Sequence, residues 1–124
     1  MNVQISSTEK SDYLLIISKG KLENEDDLFA HAHMIYEEIA KYDQKKILLE
    51  QTGTHFPKKL FSYLDLVKEY QSNFPPEISF LKIACVVLPE YMELGKFWET
   101  ASVNRGFQFF IFTSLEDAEA FLLL

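Results

Sequence analysis

Apolar runs of strand length alternate with segments of helical apolar spacing along almost the whole chain, and this alternation restricts the fold more than any other feature. Residues 13–17, 47–49 and 83–88 are unbroken apolar runs, as expected of strands covered on both faces. Between them apolar residues recur every three or four positions. In residues 25–42 these are Leu28, Ala32, Ile35 and Ile39, with Asn24 placed as N-cap and Glu25, Asp26 and Asp27 at the positive end of the helix dipole. Pro57 suits the first turn of a second helix that carries Leu60, Leu64 and Val67 inward, and Asn73-Phe74-Pro75-Pro76 stops it. A third helix is expected over residues 90–105, with Tyr91, Leu94, Trp98 and Ala101 facing inward and Gly106 as its C-cap. Ser114-Leu115-Glu116-Asp117 has capping-box spacing before a last helix holding Leu115, Ala118, Phe121 and Leu122.

Val3 and Ile5 alternate with polar neighbours, which fits an edge strand paired as a hairpin with residues 13–17. Residues 80–88 and 107–112 read as further strands, and residues 51–56 as a loop. The resulting order, ββαβαβαβα, specifies an α/β fold: a mainly parallel sheet with sequential right-handed strand-helix units and an antiparallel N-terminal edge strand. With 124 residues, a single domain over residues 1–124 is expected.

Twelve basic against 19 acidic residues give a net charge of −7, and no Lys/Arg stripe is present. A nucleic-acid ligand is therefore not expected, because counterion release needs clustered cations, and an anionic membrane surface is disfavoured for the same reason. No apolar stretch approaches the ~20 residues of a membrane span, and the expected location is the cytoplasm. Cys85, the only cysteine, sits in the run Ile83-Ala84-Cys85-Val86-Val87-Leu88 and reads as a buried structural thiol.

Three segments carry a family resemblance: Lys46-Ile47-Leu48-Leu49-Glu50, then Phe97-Trp98-Glu99-Thr100-Ala101 leading to Asn104-Arg105-Gly106-Phe107, then Ile111-Phe112-Thr113-Ser114-Leu115-Glu116-Asp117-Ala118. From about Asp12 onward the chain resembles the SpoIIAA-like group, comprising STAS domains and small bacterial relatives placed beside the CRAL-TRIO lipid-binding fold. The resemblance implies sequential parallel strands in a superhelix of strand-helix units, and it does not imply an enzyme. STAS antagonists of anti-sigma factors carry a phosphorylatable residue in an Asp-Ser-Ser/Thr-Gly loop leading into the second helix. The matching segment here is Glu50-Gln51-Thr52-Gly53-Thr54-His55-Phe56-Pro57, which lacks the Asp-Ser pair and leaves Thr52 and Thr54 as candidate phospho-acceptors.

Gly53, Thr54, Lys58 and Lys59 form a candidate anion or ligand site, since cations at a helix N-terminus oppose the dipole unless an anion rests there. Two solvated surface lysines are the plainer explanation. Beyond its inward residues the helix after Pro57 presents Phe61, Tyr63, Leu66 and Tyr70, and the third helix adds Met92 and Val103 on its outer side. This surplus marks a candidate interface with a protein partner or a second copy, or the wall of a pocket for a small apolar ligand. His31 and His33 point about 200° apart on a helix and cannot share a metal ion, and His55 stands alone in sequence. No nucleophile, base or metal set has convincing spacing, so neither an enzyme nor a cofactor is expected. The leading expectation is a non-enzymatic regulatory or protein-interaction module acting through its second and third helices. The alternative is a carrier or sensor of a small amphipathic or anionic ligand.

Overall fold

The computed structural model describes residues 1–57, 80–104 and 106–124. Five strands form one sheet in sequence order: β1 (Asn2–Glu9), β2 (Leu14–Lys21), β3 (Lys46–His55), β4 (Lys82–Val86) and β5 (Gln108–Phe112). β1 pairs antiparallel with β2, and β2 to β5 run parallel. Helix α1 (Glu25–Ile39) connects β2 to β3, a short 3-10 turn (Pro89–Tyr91) leads into α2 (Met92–Asn104), and α3 (Leu115–Leu122) follows β5. No described helix is long and apolar enough to cross a membrane.

The unbroken apolar runs arise because this sheet is covered on both faces. On one face Leu14, Ile16, Ile47, Leu49, Ile83, Cys85, Phe109 and Ile111 form a core with Ile35 and Ile39 of α1. On the other, Leu48, Ala84 and Val86 pack against Ala118 and Leu122 of α3. β2, β4, β5 and the first half of β3 thus divide their residues between two cores by simple alternation.

The caps expected from sequence form. Asn24 Oδ1 accepts the Asp27 N–H at 2.9 Å, and Asp27 Oδ2 accepts the Glu23 N–H at 2.9 Å. Ser114 Oγ accepts the Asp117 N–H at 3.2 Å. Gly106 takes φ +83°, its N–H reaching the Val103 carbonyl, while the Phe107 N–H reaches Ser102. That pair of bonds ends α2 in a Schellman motif, whose left-handed residue glycine adopts without strain.

Several expectations are corrected. Residues 51–55 continue β3 rather than forming a loop, because β2 extends to Lys21 and pairs with Gly53, Thr54 and His55 beyond the end of the β4 register at Glu50. The third helix is shorter than expected, Pro89 imposing a 3-10 turn before it. Met92 is half-buried against the main core instead of facing outward, while Leu115 is 49% exposed and Phe80, outside β4, is 69% exposed. The inward line of α2 includes Gly95 and Ser102, both buried. A Cβ on Gly95 would lie 2.6 Å from Ile111 Cγ1, so the absence of a side chain brings this helix onto β5. The helix expected after Pro57 lies outside the described residues.

Candidate functional site

A cavity of about 80 Å³ lies between α1, α2 and the sheet. From α1 come Leu28, His31 and Ile35, from α2 Leu94 and Trp98, and from the sheet Leu49, Gln51, Cys85 and Ile111. Phe56 and Tyr91, packed edge to face with ring centroids 5.2 Å apart, close one side. None of its described lining residues is charged at neutral pH, so none of them offers a counterion that would offset the desolvation of an ion placed there.

His31 occupies an inward position of α1, four residues before Ile35, and is 2% exposed. Its Nε2 lies 2.7 Å from Ser18 Oγ. The Thr54 hydroxyl donates to the Ser18 carbonyl at 2.8 Å and lies 2.9 Å from Ser18 Oγ. These three buried residues join α1, β2 and β3 through polar contacts inside an apolar layer, where pairing removes most of the burial cost. Burial lowers the His31 pKa to about 4, so the ring is neutral at physiological pH. Across the cavity the Cys85 thiol donates to Gln51 Oε1 at 3.0 Å, and burial holds that thiol far above its ordinary pKa. A protonated thiol with no thiolate character is a packing group, not a nucleophile.

A register shift places Thr54 in this network. Ile17 pairs with Glu50 but Lys19 pairs with Gly53, so β3 carries one extra residue opposite Ser18. Leu49 and Gln51 face the helices at odd positions, and after the shift Thr54 does so at an even one. Bulges re-aim side chains in this way. Thr54, fully buried, therefore turns its hydroxyl inward. Thr52 is exposed, with its N–H and hydroxyl both donating to Glu50 Oε1, and Gly53 is exposed against the Lys19 side chain. The structure thus separates Thr54 from Thr52 and Gly53. Lys58, Lys59, Phe61, Tyr63, Leu66 and Tyr70 lie outside the described residues. His55, exposed, has Nδ1 3.3 Å from the Tyr91 hydroxyl beside the cavity.

Sequential parallel strands, an antiparallel N-terminal edge and helices on both faces coincide with solved structures over nearly their full length. An anti-sigma factor antagonist from Mycobacterium paratuberculosis superposes with a TM-score of 0.57 at 10% identity, covering 99% of this chain and 96% of the other. The fold is SpoIIAA-like. A DUF3478-family protein with a SpoIIAA-like fold from Shewanella loihica PV-4 superposes with a TM-score of 0.50 at 20% identity, covering 97% and 93% of the two chains. No family model matches the sequence, and no curated protein does. The likeness thus rests on a shared SpoIIAA-like backbone. The SpoIIAA-like units were legible in the sequence, but His31 and Gln51 as lining of one cavity, and Ser18 as the partner of His31, were not. The available signal for His31 was its spacing with Leu28 and Ile35, which put it on the buried stripe of α1.

Proposed function

We propose that the chain is a non-enzymatic regulatory module that works by binding a protein partner. The observation that supports this reading is the end-to-end likeness to the anti-sigma factor antagonist, in which 99% of this chain and 96% of the other superpose. The proposed contact surface combines α2, through the exposed Val103, with the segment expected from sequence to be helical after Pro57, through Phe61, Tyr63, Leu66 and Tyr70. Site-specific photo-crosslinkers at Tyr63 and at the exposed Gln4 of β1 test it in cells of the source. A discrete crosslinked protein at Tyr63, absent at Gln4 and lost when Leu66→Glu is added, is the expected result. Equal crosslinking at both positions, or none at either, contradicts it. The homodimer form of the reading predicts a concentration-dependent mass by light scattering, abolished by Leu66→Glu.

The cavity favours a second reading, a sensor of a small ligand. Its volume is far below the ~300–1,000 Å³ of typical drug-sized sites, which counts against a long acyl chain as the occupant. Its described lining residues are uncharged, which counts against an anion inside it. An anion at Gly53 and Lys58-Lys59 would be a separate site, tested by phosphate-dependent thermal protection that Lys58→Ala/Lys59→Ala removes.

A further inference from the structure

We infer that the cavity between α1, α2 and the sheet is a binding site for an uncharged ring-sized molecule with one polar atom, held between aromatic walls and the Gln51 amide. This rests on the sensor reading above and narrows it to a ligand class. Size comes first. One water-sized group takes roughly 10–15 Å³ of such space, so about 80 Å³ accommodates about five to eight heavy atoms. A monocyclic ring with a single substituent falls in that range, and a ten-carbon chain does not.

Shape and charge follow from the walls. Phe56, Tyr91, Trp98, Tyr36 and Phe109 supply aromatic surface from several directions, and rings pack on such surfaces edge to face or offset. The described lining holds no cationic or anionic side chain, and burial keeps His31 neutral down to about pH 4. A charged ligand would lose its hydration and gain no counterion. Gln51 is the one amide among the described lining residues, 6% exposed, and its Oε1 is engaged by the Cys85 thiol at 3.0 Å. That contact orients the amide, which leaves a directional hydrogen-bonding group facing an otherwise apolar space. A ligand with a hydroxyl or carbonyl would exploit it, and a pure hydrocarbon would not.

Thermal unfolding at pH 7.5 with phenol, benzoate and decanoate, on the wild-type chain and on the cavity-filling variant Ala32→Leu, tests the inference, with Leu94→Phe as a second filling variant if the first does not fold. Phenol at ten times its Kd should raise the wild-type Tm by about 5 °C. Benzoate and decanoate should leave it unchanged, and the filled variants should not respond to phenol. Gln51→Leu should weaken phenol at least several-fold while leaving benzene binding intact. Absence of a phenol response, or an equal response in wild-type and filled chains, overturns the inference. Protection by decanoate but not phenol overturns the ring-sized class while upholding the sensor reading, and no response to any probe removes both.

Discussion

His31 shows how one buried polar side chain can govern the acid response of the fold. Its ordinary pKa of 6.5 falls to about 4 through desolvation, so the native state prefers the neutral ring while the unfolded chain takes a proton below 6.5. The sign follows: this contribution to stability is complete above pH 6.5 and is lost progressively as pH falls toward 4. The shift corresponds to about 3 kcal/mol at most. Urea unfolding of wild type and His31→Gln between pH 7 and 4 should show a steeper loss for wild type, and parallel slopes would contradict the assignment. Cys85 should behave oppositely to a reactive cysteine. Buried and protonated, it should resist iodoacetamide at pH 8 in the native state and label stoichiometrically in urea, and rapid native labelling would refute its burial. The burial of Cys85 was readable from its apolar neighbours alone. The Ser18–His31–Thr54 network was not, because its members are far apart in sequence and an extra residue in β3 decides which way Thr54 points.

Among elements, the helix caps were legible because each depends on residues three or four apart, as in Asn24 with Asp27 and Ser114 with Asp117. The extent of β3 was less so. Thr52-Gly53-Thr54 carries turn-like composition, yet pairing with β2 as far as Lys21 and His55 keeps it extended, a tertiary effect that overrides local preference. Gly95 was overlooked for a related reason: its value lies in contact with Ile111, which only the packed structure reveals. Gly95→Ala should cost about 1–3 kcal/mol through forced movement of Ile111 or α2, measured by chemical denaturation. Gly106→Ala meets no atom within 4 Å but must hold φ +83°, so its cost of about 1–2 kcal/mol is one of backbone strain. Gly106→Asn should recover part of that loss while Gly95→Ser should not recover any. At the sheet edge, Glu99 Oε1 accepts the Ile111 N–H at 2.9 Å and so covers a donor that an edge strand would otherwise present to another chain. Glu99→Ala should lower stability by about 1 kcal/mol and raise the rate of aggregation at 37 °C, and unchanged light scattering would contradict the protective role.

For the whole molecule, the order of apolar runs and helical stripes was enough to predict a mainly parallel sheet with an antiparallel edge, because each strand must be covered on both faces and right-handed crossovers leave few arrangements. The same chain order places α1 and α2 side by side on one face, with Phe29 and Trp98 in contact at 6.0 Å between ring centroids. The cavity lies beneath these helices, where Gly95 draws α2 down onto β5 while β3 presents Gln51 and β4 presents Cys85. No local pattern encodes such a space, since it is what remains after several elements have packed. Under the proposed regulatory reading, occupancy of the interior would couple to the proposed contact surface. That coupling predicts slower amide exchange in α1 and α2 with phenol bound, and little change in α3 on the opposite face. Ligand binding of this kind depends first on the cavity itself. A crystal of the unliganded protein pressurised with xenon measures it directly: density for the gas bounded by His31, Gln51 and Trp98 is the predicted result, and a space closed by protein atoms with no gas bound would contradict it.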